Sequence, residues 1–428
     1  MLFCGISILD ENFNLAHDMY VGVQGDRITY IGTEEPEQDF GRCYSGKGRF
    51  MMPGLYNSHA HSPMTLLRGY AENLSLQDWL HKKVFPFEAR MLGEDIFKGS
   101  KLAIAEMLRF GTCSFSDMYY MGEDVFEAVA QTGIKCNFSR GVTVFDGGRY
   151  ESQPAFEEAE KLLKNHHGGA DGRFKLDLSI HAEYTSNPSV VASLARHASD
   201  RGLNIHIHLS ETKDEHEGCK ERHGKTPAKY FYDLGIFNSP TTAAHCVWLE
   251  DEDFDILFEN NITVAACPAS NLKLASGFAR VEKMFDLGLK VAIGSDGAAS
   301  NNNLDLFTDA YLFAILYKGV SGNPSAITPK EVLKAATRTG ALAQGRDDSG
   351  IIKVGAKADL IVLDIKGPHM QPVHNMLNNI VYCARGNDVC LNMIDGRVLY
   401  EDGDFKSLDI EKVSYEAAKS TEAILARL

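Results

Sequence analysis

Fifteen histidines occur in the chain, and several stand at the ends of short apolar runs that alternate with amphipathic segments. His59 and His61 form an HxH at the close of one such run. Side chains at i and i+2 of a strand point to the same side, so both imidazoles can reach one ion. His208 closes the run 204–210, His245 lies in 241–247, and Asp296 closes 290–296 within Gly294-Ser295-Asp296-Gly297. Three histidines and a carboxylate are an ordinary shell for Zn²⁺ with one position left for water. A lone HxH is weak evidence, but five such residues at strand ends together predict a metal site. Zn²⁺ is the expected ion, with iron or manganese as alternatives.

Bound zinc lowers the pKa of water to about 7 and so supplies hydroxide at neutral pH. Some group must then move protons. Glu211 follows His208 by three residues. It could protonate a ring nitrogen and later a leaving ammonia. Its rival reading is the N-cap of the next helix. His245 either ligates the ion or orients the hydroxide. Asp296 can bind the metal and also accept the water proton. His206 shares the face of His208 one step deeper, where a core role is expected. His166, His167, His197, His216 and His223 are expected on the surface. His181-Ala182-Glu183 mimics the HxE of cytidine deaminases, but the PCxxC which that class needs is missing.

These residues require a scaffold that brings strand ends together. Apolar runs fall at 51–58, 112–117, 135–142, 175–182, 204–210, 241–247, 262–267 and 290–296. Helical patterns at 95–109, 123–131, 155–164, 188–201, 226–234, 250–259 and 280–287 separate them. Eight βα repeats are the number that closes a (β/α)₈ TIM-type barrel, whose chemistry sits at the carboxyl ends of its strands. The doubly wound rival lacks support, because no GxGxxG follows the first strand. Residues 2–9 and 19–33, with 350–364, 379–384 and 389–400, read as strands of a small β-sandwich module built from both chain ends. The division expected is 1–50 plus 350–405 for this module, 51–349 for the barrel, whose last helix is 328–345, and 406–428 for a terminal helix.

A length of 428 residues suits a barrel of ~250 residues with an accessory module. The net charge of −15 and the want of a basic stripe argue against nucleic acid as a partner. No leader peptide is expected from the first residues. No apolar run is long enough to span a bilayer. Nine scattered cysteines without CxxC read as reduced, buried thiols in a cytoplasmic protein.

Longer stretches around these residues resemble a known family. They are Pro53-Gly54-Leu55-Tyr56-Asn57-Ser58-His59-Ala60-His61, His208-Leu209-Ser210-Glu211, Ala244-His245-Cys246, Pro268-Ala269-Ser270-Asn271-Leu272-Lys273-Leu274, Gly294-Ser295-Asp296-Gly297-Ala298-Ala299-Ser300-Asn301-Asn302, and Gly355-Ala356-Lys357-Ala358-Asp359-Leu360. In this order they look like the amidohydrolase superfamily, in the branch of the 5-methylthioadenosine/S-adenosylhomocysteine deaminases and chlorohydrolase-like enzymes. The resemblance implies that His59, His61, His208 and Asp296 bind metal and that His245 and Glu211 are catalytic. It implies a nucleoside shell of Trp79, Glu88 on ribose hydroxyls, His181 on the purine, and Arg140 on the carboxylate of S-adenosylhomocysteine. A second arginine is expected further on, where Arg149 stands out of register. S-adenosylhomocysteine, methylthioadenosine and adenosine therefore all stay open as substrates. Related barrels with two metals commonly carry a modified lysine after the fourth strand; here that strand ends Ser179-Ile180-His181, so one ion per chain is expected.

The implied reaction is hydrolytic deamination of an adenosine-type nucleoside. The alternative is guanine deamination or hydrolysis of a triazine ring on the same metal site. A silent barrel used for binding is disfavoured, since the ligand set and Glu211 are complete. Homo-oligomers are expected, as closed symmetric assemblies are common among soluble proteins.

Overall fold

The computed structural model describes residues 1–145 and 147–428. Its centre is a ring of parallel strands. The first is Leu55–Ala60 and the second Thr112–Met118; the third is split into Lys135–Ser139 and Gly141–Val142, and the fourth into Phe174–Leu176 and Leu178–Ile180. Ile205–Leu209, Thr241–His245, Thr263–Ala266 and Lys290–Ile293 complete eight. Neighbours pair in parallel, and a bridge between Ala60 and Asp296 joins the last strand to the first. Nearly every residue of these strands is buried, as expected where helices cover the outside and side chains fill the inside. The expected (β/α)₈ barrel is present.

Helices return the chain between strands. Asn187 and Thr212 cap two of them by accepting from the backbone N–H of Val190 and Glu215. Between the first strand and helix Gly93–Arg109 lies a helical stretch that the apolar periodicity does not announce. It runs through Leu76–Trp79, a π-turn at Leu80–Val84, and Phe85–Glu88. It delivers Trp79 and Glu88 to the mouth of the barrel.

Both chain ends share one sheet, in which Arg49–Pro53 pairs in parallel with Leu2–Leu9 and antiparallel with Leu360–Asp364. Its own core contains Phe3, Ile6, Val21, Met51, Leu360 and Leu391. Residues 350–359 are turns rather than strand, which starts at Leu360. The run expected as a strand at 379–384 belongs to the helix Met376–Tyr382, capped by Asn375. Met376, Ile380 and Val381 are buried at helical spacing, a pattern that a short apolar run does not distinguish from a strand. The terminal helix Ile410–Arg427 packs on Gly93–Arg109, and Arg427 pairs with the buried Asp95.

Two expectations are corrected. Cys4 and Cys43 form a disulfide, because the register of Leu2–Leu9 with Cys43–Ser45 brings them together; the other seven cysteines are free, all but Cys383 buried. His216 is buried rather than superficial, with its ring nitrogens facing Ser210 Oγ and Glu250. Among the described residues no helix is long and apolar enough to cross a membrane.

Candidate active site

The carboxyl ends of the strands gather His59, His61, His208, His245 and Asp296. Ligand atoms of His59, His208 and His245, and again of His59, His61 and Asp296, lie within 4.8 Å of one another. His61 Nε2 is 3.2 Å from Asp296 Oδ1 and 3.4 Å from His208 Nε2; His59 Nε2 is 3.4 Å from the same Asp296 oxygen.

The other side of each ring explains this convergence. His61 Nδ1–H donates to the Met118 carbonyl at 2.6 Å, and His208 Nδ1–H to the His181 carbonyl at 2.7 Å. His245 Nδ1–H donates to Asn271 Oδ1 at 2.9 Å, and His59 Nδ1 lies 2.9 Å from His206 Nε2. Engaging Nδ1 fixes the ring and leaves Nε2 as the free donor, the arrangement that orients metal-ligating histidines. His206, expected in the core, is thus a direct partner of His59. Asp296 is clamped in turn: Oδ2 accepts from Ser270 Oγ at 2.5 Å and Ser300 Oγ at 2.9 Å, and Oδ1 from the Gly297 N–H at 2.8 Å.

The residues fit a metal ion. His59 Nε2 is buried without a hydrogen-bond partner, which is costly unless something else occupies it. Burial lowers the His59 pKa to about 3, so the ring is neutral near pH 7, the form that ligates. Burial presses His61 the same way, but its hydrogen bond to Asp296 and the charge of that carboxylate outweigh it and lift the pKa to about 9. A metal ion taking Nε2 displaces that proton. Three imidazoles and a carboxylate, with His245 alongside, are a donor set for zinc or a similar transition metal.

The backbone at these strand ends is strained. Ser210, His245, Cys246 and Asp296 all have positive φ, the left-handed region that non-glycine residues rarely adopt. Such strain concentrates where a fold must aim side chains for function.

A cavity of about 460 Å³ opens onto this cluster, a volume that suits a nucleoside-sized ligand. Glu211 lines it and is buried, 3.9 Å from His245 Nε2. It is not the helix cap; Thr212 holds that place. Burial raises the Glu211 pKa, and the neighbouring His245 only partly offsets this, so a proton is retained more readily than in water. Beneath it Glu215 accepts from the backbone N–H of Ser210 at 3.0 Å and of Glu211 at 2.7 Å, holding this turn in place.

Trp79, Glu88, Arg140 and His181 line the same cavity. Trp79 Nε1 is buried and without a partner. Glu88 accepts from the Tyr119 hydroxyl at 2.7 Å; burial raises its pKa, and the hydroxyls of Tyr120 and Tyr119 counter part of that rise. His181 Nδ1 lies 3.2 Å from Thr185 Oγ1. Arg140 is paired with Glu158. Arg149 is exposed and lies outside the residues lining the cavity, so it is not brought together with the others.

Sequence reasoning passes over Tyr119, Tyr120, Asn271, Ser270, Ser300 and Glu215. Ser270, Asn271 and Ser300 stand inside motifs that the sequence displays, yet spacing attaches no role to them. The tyrosines and Glu215 carry no spacing signal.

An eight-stranded parallel barrel with histidines and an aspartate converging at its carboxyl end defines a class, the barrel enzymes that hydrolyse their substrates at a metal centre. Within it, this chain belongs to the amidohydrolase family, whose model matches residues 50–399. It is 43% identical to the 5-methylthioadenosine/S-adenosylhomocysteine deaminase of Dictyoglomus thermophilum, over 92% of each chain. It is 40% identical to the 5'-deoxyadenosine deaminase of Methanosarcina acetivorans, over 95% of this chain and 94% of that one. The crystal structure of an adenosine deaminase from Xanthomonas campestris with bound zinc superposes with a TM-score of 0.93 at 30% identity, covering 99% of this chain and 98% of that one.

Proposed function

We propose that this chain deaminates adenosine-type nucleosides by hydrolysis, with methylthioadenosine, S-adenosylhomocysteine and adenosine as the candidate substrates. The observation that carries the reading is the convergence of Nε2 atoms, each ring locked through Nδ1, beside a buried glutamate on one nucleoside-sized cavity. The names of the related deaminases support the substrate class.

One ion per chain, Zn²⁺ by preference over iron or manganese, would be held by His59, His61, His208 and Asp296. Bound there, it would acidify water and supply a hydroxide nucleophile near pH 7. Glu211 gives its proton to a ring nitrogen of the purine, which makes the amino-bearing carbon electrophilic. His245, steadied by Asn271, orients the attacking oxygen, and Asp296 accepts its proton. Attack forms the C–O bond first and makes that ring carbon tetrahedral, and the C–N bond breaks in a second step. The proton that Asp296 took passes through Glu211, left as a carboxylate by its first transfer, to the departing amine, and an inosine-type product and ammonia leave. Glu88 accepts from the ribose hydroxyls, the unpartnered Trp79 N–H donates to the nucleoside, and His181 contacts the purine edge.

We also propose a cytoplasmic homo-oligomer. Seven free thiols support a reducing compartment, against the single Cys4–Cys43 disulfide, and such symmetric assemblies are common.

Ammonia release from a panel of methylthioadenosine, S-adenosylhomocysteine, adenosine, guanine and a chlorotriazine tests the reading. Turnover of the adenosine compounds is expected, lost on chelation and restored by Zn²⁺. Silence on all three, alongside turnover of guanine or the triazine, would move the substrate to another ring.

A further inference from the structure

We propose that Glu158 is a specificity-determining residue: it occupies Arg140 and thereby turns this end of the cavity toward nucleosides whose 5′ substituent carries no carboxylate. This rests on the deaminase reading above and goes further by naming the substrate class within it.

Arg140 interrupts the third barrel strand and lines the cavity. A free guanidinium there would attract an amino-acid carboxylate. It is not free, because its Nη1 donates to Glu158 Oε2. Glu158 is itself anchored. Its Oε1 accepts the backbone N–H of Gly122 at 2.6 Å, at the start of helix Gly122–Thr132. Gly122 cannot move aside easily, since even a Cβ there would lie 2.5 Å from both Leu162 and Phe138. Both side chains of the ion pair are largely buried, 29% and 15% exposed.

The charge of Arg140 is therefore already balanced when substrate arrives. An amino-acid tail would bring a second carboxylate to one guanidinium, and its α-ammonium could offset this only through Glu88 or Glu158, which already accept from Tyr119 and from Arg140 and Gly122. Displacing Glu158 instead would strand a partly buried carboxylate. Arg149, the other candidate for such a tail, is exposed and off the wall. A neutral methyl or alkylthio group meets Phe145, Pro154 and Ala155 on the same cavity at no electrostatic cost.

Calorimetric binding of methylthioadenosine and S-adenosylhomocysteine to the zinc-loaded protein and to Glu158→Gln tests this, with ammonia release followed in the same preparations. The wild type is expected to bind methylthioadenosine at least about tenfold more tightly, since like charges placed together disfavour a partner strongly. Glu158→Gln should shift the affinity ratio toward S-adenosylhomocysteine by about tenfold, with methylthioadenosine changed by less than about threefold. A ratio that stays put, or moves toward methylthioadenosine, would show that Glu158 merely orients Arg140 and would overturn the proposal. Wild type that already prefers S-adenosylhomocysteine overturns it without any variant, so a poorly folding mutant does not shelter the idea. Binding without ammonia release would instead sink the deaminase reading, while the affinity ratio still reports on Glu158. Failure of both nucleosides to bind would sink both.

Discussion

The two ends of the barrel treat buried charge in opposite ways. At the carboxyl end, polar atoms are held in readiness: His59 Nε2 and Trp79 Nε1 are buried without partners, and four residues sit at strained positive φ. At the amino end, Lys135 is almost wholly buried yet meets Asp359 Oδ2 at 2.5 Å and Asp395 Oδ1 at 2.8 Å. Asp359 also accepts from the Tyr56 hydroxyl, the Ser349 hydroxyl and the Asp395 N–H. That cluster ties the barrel to the terminal sheet. At one end unpartnered groups face the cavity, where a ligand can complete them; at the other, Lys135 and Asp359 complete each other and hold two parts of the molecule together, although Asp395 Oδ1, Arg173 Nε and Arg346 Nε there make no hydrogen bond. The carboxyl pKa values follow suit. Burial drives Glu211 and Glu88 up. At Asp359 burial also pushes upward, but the Lys135 ammonium more than reverses it, leaving about 2.

The largest effect is expected at Glu211. Glu211→Gln should cut kcat by about 10²–10⁴-fold, the usual worth of a general acid–base group. Metal content by elemental analysis should be unchanged. In the metal-free protein the variant should melt higher, worth roughly 0.5–2 kcal/mol, because a buried carboxyl with a raised pKa costs stability at neutral pH. A variant that keeps wild-type turnover would remove Glu211 from the chemistry.

Lys135→Met should do the reverse. Removing one partner of a buried ion pair costs about 3–5 kcal/mol in chemical denaturation. At a temperature where the variant is folded, its kcat/KM should match the wild type. Loss of activity greater than loss of folded protein would mean that the two ends are coupled.

Asn271→Ala should lower activity by about 10–100-fold, the range for residues that orient a site histidine. Methylthioadenosine binding and melting temperature should barely move. A change in KM alone would assign Asn271 to the substrate instead.

The smallest effect is in acid. Asp359 has a folded pKa below its unfolded value of about 3.9, so its stabilisation is complete above about pH 4. It is lost as pH falls through the folded value of about 2. Denaturant midpoints measured from pH 5 to pH 2 should fall less steeply in Asp359→Asn than in wild type. Equal slopes would show that other carboxylates govern the acid limb.

Much of this organisation is legible in the sequence. His59, His61, His208, His245 and Asp296 stand out because few residue types can ligate a metal and because a strand repeats every two residues. The βα rhythm announces a barrel, since eight buried parallel strands have few other ways to close. The helix at Met376–Tyr382 reads as a strand because a short apolar run has no preferred period. The stretch Leu76–Glu88 stays hidden because its π-turn breaks the helical repeat.

By itself, then, the chain determines which groups are available and that they lie at strand ends. Tertiary structure alone decides which nitrogen of each imidazole is free. The acceptors that lock Nδ1 come from distant segments, Met118 for His61 and His181 for His208, 57 and 27 residues away. It alone decides that Arg140 arrives at the cavity already paired, through a glutamate on the following helix. The reason is physical: spacing along a chain sets the direction of a side chain within its own element, whereas hydrogen-bond partners are set by the register between elements, which no local pattern encodes.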